Sequence, residues 1–316
     1  MRAYTLAAPA KINLHLEIIG DRPDGFHELV MILQSVALSD RVTVRPIGTQ
    51  TIRVHCDHPL VPNDESNLAY RAADLMCQQF PDRFKQFGGM EITIEKRIPV
   101  GAGLAGGSTN AAAVLMGIDL MWNLGLTHSD IQELGATLGS DIPFCVTGGT
   151  AIGTGRGEQL DFLPKPHPLY VVLAKYKSLS VSTVWAYKTY RKNFSDTYVS
   201  GDEAVGDRQH QIHSGPLVSA LMHNEPKTVG ELIYNDLEKV VLPEHDKVAK
   251  LKAEMQALQP LGVMMSGSGP TVFALTETQE QAEAMKEKIE ATMTDPDLEV
   301  WATHFISNGI HLIDEE

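Results

Sequence analysis

Cysteine is scarce in this sequence. Cys56, Cys77 and Cys145 stand far apart with no paired spacing, which excludes a disulfide framework or a Cys-based zinc site and suits a reducing cytoplasm. Each reads as a small core residue rather than a nucleophile. The twelve histidines form no HxH or HExxH arrangement, so no metal motif is offered. Apolar runs never approach the ~18 residues needed to span a bilayer. Met1 to Ala10 has one Arg and lacks the apolar core of a signal peptide. Positive charge is short as well: 26 Lys and Arg face 40 Asp and Glu, a formal net charge of −14. Such a surface repels phosphate backbones, so neither nucleic acid nor membrane is an expected partner. A small anionic substrate stays open if a few Lys and Arg are focused into a cleft.

What is present is a chain of 316 residues, 43% hydrophobic and 21% charged, enough for about two domains with real cores. AKINLHLEII at 10–19 alternates as a strand, with Ile12, Leu14, Leu16 and Ile18 on one face and Lys11, Asn13, His15 and Glu17 on the other. GDRPDG follows as a turn. Further strands are expected near 42–45, 51–55, 90–98, 169–174 and 300–305, and helices over 67–80, 129–138 and 248–258. Ser129 with Gln132 would form a capping box, and so would Thr278 with Gln281 ahead of a last helix. The polar stretch 192–215 has no apolar period and is expected to be a mobile surface insertion. Interleaved strands and helices in both halves imply an α+β protein of two domains, 1–160 and 161–316.

Gly101, Gly103 and Gly106 match GxGxxG between a strand and a helix, a weak dinucleotide signal. That reading needs a second strand ending in an acidic residue ~20 positions on. Residues 111–121 and 129–138 are both helical in pattern, and Asp119 falls inside the first of them, so the context fails. GxxxxGK[ST], HRD and DFG are all missing, which removes P-loop proteins and protein kinases. A phosphate cradle remains: glycines let backbone N–H groups approach an anion at a helix N-terminus, with Ser108 or Thr109 as cap and hydroxyl donor and Lys96 and Arg97 just upstream. The helix behind it, AAAVLMGIDLMW, is apolar nearly all round and should be buried.

Four blocks then carry a family resemblance. PVGAGLAGGSTNAAA resembles the second motif of the GHMP kinases, and MMSGSGPTVFAL resembles their third. APAKINLHLEIIGDRPDGFHEL and GSDIPFCVTGGTAIGTGRGE are similar to the opening and central segments of one branch of that family. The blocks occur in the family's order and cover most of 7–160 together with 261–275. The resemblance implies a two-domain GHMP-kinase fold with its active site between the domains. It implies ATP-dependent phosphorylation of the 2-hydroxyl of 4-diphosphocytidyl-2-C-methyl-D-erythritol, a step of the non-mevalonate isoprenoid pathway.

The resemblance also distributes roles. Pro99, Val100, Gly101, Ala102, Gly103 and Leu104 would wrap the ATP phosphates, together with Ala105, Gly106, Gly107, Ser108 and Thr109. Asn67, Leu68 and Lys96 would lie near the adenine or ribose. Asp141 would be the general base. A carboxylate is a weak base at neutral pH, so it would mainly orient the hydroxyl and take the proton late. Lys11 would sit beside it and stabilise developing charge. Outside these blocks a strand Lys is ordinarily solvated and such an Asp an ordinary turn residue. Asn13, Phe26 and His27 would bind the cytidine diphosphate substrate, the ring of Phe26 by stacking where the family often has Tyr. Thr183 and Trp185 would complete that wall. Ala105 stands where the family often has Gly, and ordinary backbone angles are expected for it. Mg²⁺ would arrive with ATP rather than at a dedicated site. A monomer or weak homodimer in the cytoplasm, or in the plastid stroma of a photosynthetic eukaryote, completes the expectation. Two rivals are weighed: a GHMP kinase for homoserine or mevalonate, which DGFHEL and Asn13 oppose, and a ligand-binding regulator without turnover, which Lys11, Asp141 and the glycine loop oppose.

Overall fold

The computed structural model describes residues 2–164 and 168–313. Its spine is two long antiparallel strands, β1 (Tyr4–Asp21) and β2 (His27–Pro46), joined through a turn at Asp24 and Gly25. β3 (Ile52–Cys56), β4 (Met90–Glu95), β5 (Thr150–Gly155) and β6 (Gln159–Phe162) follow, then β7 (Tyr170–Tyr176), β8 (Tyr234–Asn235), β9 (Gly262–Met265), β10 (Val272–Thr276), β11 (Leu298–His304) and β12 (His311–Leu312). Among the described residues they form two sheets. One has eight strands along the path β12-β1-β2-β4-β3, with β5, β6 and β8 branching from it; the other has four in the order β11-β7-β10-β9. The helices that matter for the site are α1 (Leu68–Gln79), α2 (Pro81–Phe87), α3 (Gly106–Trp122), α4 (His128–Ala136), α5 (Ile142–Thr147), α6 (Thr183–Phe194) and α7 (Asp202–His213). No strand separates α3 from α4 or α5, as the rejection of the dinucleotide reading requires.

β1 departs from simple alternation. Its pairing with β2 shifts register between Pro9 and Ala10, Asn13 and His15, and Ile18 and Gly20. The middle bulge leaves Leu14 outside the ladder and reverses which way later side chains point. Ile12 and Leu14 therefore join one core cluster while Leu16 and Ile18 join another, and the single apolar face expected from the sequence is split. The bulge also brings Lys11 and Leu16 to the same cleft. Both faces of β1 are covered, so Lys11, Asn13 and His15 are buried; Lys11 is not the solvated strand lysine of a one-faced sheet. β2 begins at His27, well ahead of the segment near 42 that its alternation picks out.

Other expectations are corrected locally. Ser108 and Thr109 do not cap α3; Ala105 is its N-cap, in the left-handed region, with no side-chain hydrogen bond. α4 is capped by Thr127 with Asp130 rather than by Ser129 with Gln132, because Gln132 donates instead to the Pro143 carbonyl and Thr147. The Thr278–Gln281 box is present. The stretch 192–215 is largely helical, comprising the end of α6 and the whole of α7. Ion pairing stands in for a clear apolar stripe there: Arg208 donates to both carboxylate oxygens of Glu17 on β1 at 2.8 and 3.0 Å, and Gln209 donates to Glu28 at 3.1 Å.

Candidate active site

A cleft of about 660 Å³ is lined from the first half of the chain by β1, β2, the glycine loop and Asp141, and from the second half by α6 and the turn between β9 and β10. Lys11, Lys96, Arg156, Lys188 and Arg191 line it, whereas Asp141 is its one carboxylate among the described residues. In a chain of net charge −14 this is a local positive field, and low-dielectric walls focus such a field on an anionic ligand.

Lys11 and Asp141 meet in this cleft, Nζ to Oδ1 at 3.7 Å. Asp141 is the N-cap of α5, yet its side chain makes no capping hydrogen bond and stays partly exposed. Asn13 is placed differently from its expected role. It is fully buried, outside the cleft lining, accepts from Lys11 Nζ at 2.7 Å and donates to Met31 Sδ at 3.4 Å. Its side chain accepts from Lys11 and is not among the groups exposed on the cleft wall.

The glycine loop is anchored on both sides. The Lys11 backbone N–H donates to the Leu104 carbonyl at 3.1 Å, and Ser266 Oγ donates to the Gly103 carbonyl at 3.0 Å. Gly103 has φ +74°, and a Cβ there would lie 2.3 Å from the Ser266 carbonyl oxygen. Only glycine lets the second and third motifs pack this closely. Residues 99–108 all line the cleft, and the side-chain-uncapped start of α3 leaves N–H groups available for an anion. Thr109 is the exception. It is fully buried and outside the lining, beside the Cys145 thiol on the packed side of α3. Ala105 has φ 57° and ψ 26°, against the ordinary angles expected.

Asn67 and Leu68 both line the cleft at the start of α1. Asn67 is committed to capping, accepting from Ala69 N at 2.9 Å and donating to the Pro62 carbonyl at 2.7 Å. Lys96 pairs with Asp40, a fully buried residue that the sequence did not single out.

At the other end, Phe26 is 53% exposed, with the Arg156 guanidinium over the ring 5.0 Å from its centroid, so only the rest of the ring is open for stacking. His27 is buried against Tyr187, ring centroids 5.1 Å apart, and its Nε2 has no hydrogen-bond partner. Asp21 Oδ1 lies 3.8 Å from this nitrogen, beyond hydrogen-bond reach, so a buried nitrogen without a hydrogen bond in a cleft wall is a position for a ligand polar atom. Burial, then the Arg191 charge, hold the His27 imidazole below its ordinary pKa, partly opposed by Asp21. Thr183 lines the cleft and shares a hydrogen bond with Ser268 at 2.9 Å.

Trp185 does not reach this wall; it packs edge-on to His245 at 5.6 Å, outside the lining. On a helix, neighbours two apart point about 200° away from each other, so Thr183 and Trp185 cannot share a face. The face that does line the cleft is Thr183, Val184, Tyr187, Lys188 and Arg191. Tyr187 and Arg191 were missed, although spacings of four from Thr183 announce one helical face. Arg191 pairs with Asp21 at 2.7 Å and donates to the Gly25 and Phe26 carbonyls at 3.1 and 3.4 Å. Among the described residues no group of three or more His, Cys, Asp or Glu side chains is placed to hold a metal.

Comparison with known proteins shows the family to which the chain belongs. Residues 67–149 match the GHMP kinases N terminal domain and 217–295 match GHMP kinases C terminal. The 4-diphosphocytidyl-2-C-methyl-D-erythritol kinase of Trichodesmium erythraeum is 60% identical over 312 residues, 99% of each chain. That of Gloeothece citriformis is 59% identical, again over 99% of each. A crystal structure of 4-(cytidine 5'-diphospho)-2C-methyl-D-erythritol kinase superposes with a TM-score of 0.74 at 32% identity, covering 95% of this chain and 98% of that one. A homoserine kinase from Cytophaga hutchinsonii gives a TM-score of 0.71 at 20% identity, over 99% and 98% of the two chains, a likeness of fold alone.

Proposed function

Because this chain belongs to the GHMP kinase family, we propose that it transfers the γ-phosphoryl group of ATP to the 2-hydroxyl of 4-diphosphocytidyl-2-C-methyl-D-erythritol. The observation that carries the reading is a single cleft that joins the Lys11–Asp141 pair to a glycine loop on one side and to Phe26, His27 and Tyr187 on the other. Phosphoryl transfer asks a protein for a held triphosphate, neutralised charge and an aligned hydroxyl, and the cleft offers one feature for each.

The glycine loop and the start of α3 hold the phosphates through backbone N–H groups, with the Ser108 hydroxyl as a further donor. Asp141 orients the substrate hydroxyl. The hydroxyl oxygen attacks the γ-phosphorus, the bond from phosphorus to the β–γ bridging oxygen breaks, ADP leaves and the proton passes to Asp141. Lys11, held by Asn13 at 2.7 Å, stabilises the charge that spreads over the transferring oxygens. Mg²⁺ favours oxygen ligands and travels with nucleotide phosphates; it would neutralise phosphate charge when bound, and Asp141 is the carboxylate the cleft can present to it. The cytosine would stack on Phe26 and hydrogen-bond to His27 Nε2, which has no hydrogen-bond partner among the described residues.

ADP release from ATP in the presence of the cytidyl alcohol, homoserine or mevalonate tests the reading. Turnover is expected with the cytidyl alcohol alone. Turnover with homoserine and none with the cytidyl alcohol would overturn it.

A further inference from the structure

We propose that Asp40 is a positioning residue of the nucleotide site, acting through Lys96 and through the backbone that leads into the glycine loop. This rests on the reading of Lys96 as a nucleotide contact. Asp40 stands near the middle of β2, fully buried, and its carboxylate accepts four hydrogen bonds. Oδ2 takes Lys96 Nζ at 2.5 Å and Asn110 Nδ2 of α3 at 2.8 Å. Oδ1 takes the backbone N–H groups of Arg97 at 2.7 Å and Ile98 at 2.8 Å. One side chain thereby ties together the lysine, the two residues before Pro99 and the first turns of α3. Every acceptor site of the carboxylate is engaged, so the arrangement has one geometry.

Gly106 completes the arrangement. A Cβ at that position would lie 2.9 Å from Lys96 Nζ and 3.2 Å from Ile98 Cγ2. The lysine head therefore packs directly against the first residue of α3, where the phosphate-binding N–H groups begin. A buried ion pair is a poor source of stability, since well-packed apolar residues of similar volume do as well. What the pair supplies is a fixed cation at the anion-binding end of the helix, with the Lys96 side chain only 4% exposed yet lining the cleft. Asparagine in place of Asp40 would keep an acceptor for the backbone pair but turn an N–H₂ toward the Lys96 and Asn110 donors.

The test is a set of KM values for ATP and for the cytidyl alcohol in wild type, Asp40→Asn, Lys96→Ala, Gly106→Ala and the two double variants containing Lys96→Ala. Asp40→Asn is expected to raise KM for ATP roughly tenfold, the scale of one charged hydrogen bond, while KM for the cytidyl alcohol stays within about twofold. Lys96→Ala should do the same, and combining the two should add nothing, because both act through one contact. Gly106→Ala should raise KM for ATP, and most of that rise should disappear in the Lys96→Ala background, where the contact with Nζ is gone and only the tight approach to Ile98 Cγ2 remains. Should Asp40→Asn fail to fold, Asp40→Glu, which keeps the charge but displaces the carboxylate, takes its place in the first cycle with the same expected and overturning outcomes. Additive effects in both cycles, or equal rises in both KM values, would overturn the proposal. Failure of the underlying reading looks different: Lys96→Ala itself would leave KM for ATP unmoved.

Discussion

Lys11 and Asp141 come from opposite ends of the first half of the chain, yet their charged groups stand 3.7 Å apart on the floor of the cleft. β1 delivers the lysine and the N-terminus of α5 delivers the carboxylate. Asp141→Asn keeps the shape but removes the proton acceptor, so kcat should fall by about 10²–10⁴-fold, the usual yield of general-base assistance, while a non-hydrolysed ATP analogue binds as before. Single-turnover kinetics with a nucleotide titration separates the two, and unchanged turnover would end the base assignment.

Asn13 should behave as part of this pair and not as a substrate contact. Its Oδ1 fixes Lys11 Nζ at 2.7 Å from a fully buried position. Asn13→Leu is expected to lower kcat by about tenfold or more, since a hydrogen bond to a charged group is worth ~1.5–3 kcal/mol, with KM for the cytidyl alcohol little changed. A raised KM at constant kcat would return Asn13 to the substrate site.

Much of this site is legible in the sequence, because local chemistry marks it. The glycine loop, the SDIPF turn and the strand carrying Lys11 are short patterns whose residues are needed for backbone reasons, and the structure brings all three together. What stayed hidden depends on tertiary packing. The bulge at Leu14 cannot be read from alternation, so the split of the apolar face and the burial of Asn13 were invisible. Asp40 is an ordinary polar residue in a sequence window and acquires meaning only when Lys96 and Asn110 converge on it. α7 lacks a clear apolar stripe, so no periodicity announced it.

α6 offers a direct contrast between the expected wall and the observed one. Tyr187 packs on His27 with ring centroids 5.1 Å apart and planes tilted by 40°, whereas Trp185 packs against His245. Tyr187→Ala should raise KM for the cytidyl alcohol roughly tenfold or more, combining a lost aromatic contact of ~0.5–1.5 kcal/mol with a loosened His27. Trp185→Phe should leave that KM within experimental error. The reverse ranking would show that Trp185 reaches the substrate after all.

Ala105 holds a left-handed conformation, φ 57°, at the entrance to α3. For a residue with a Cβ this costs roughly 1–2 kcal/mol, and glycine's freedom in the unfolded chain returns part of it. Ala105→Gly is therefore expected to raise the urea midpoint, by a net stabilisation on the order of 0.5–1 kcal/mol. KM for ATP should stay the same, because the loop already has the required shape. A lowered midpoint would mean that the methyl group's packing outweighs the strain.

His27 should set a pH limit on substrate binding. Burial and the Arg191 cation lower its pKa from the ordinary 6.5, so the folded enzyme keeps it neutral at pH values where the unfolded chain has already taken up a proton. Between that depressed value and about 6.5 the unfolded state binds more protons, and stability rises with pH; above 6.5 the contribution is flat. The same shift predicts that KM for the cytidyl alcohol is constant from neutral pH down through 6.5 and rises only below it. Arg191→Met removes the neighbouring cation and should move that break to higher pH, in addition to any uniform rise in KM from releasing the Gly25 and Phe26 carbonyls. His27→Gln should abolish the break. A break that stays in place in Arg191→Met would mean that burial alone holds His27 neutral.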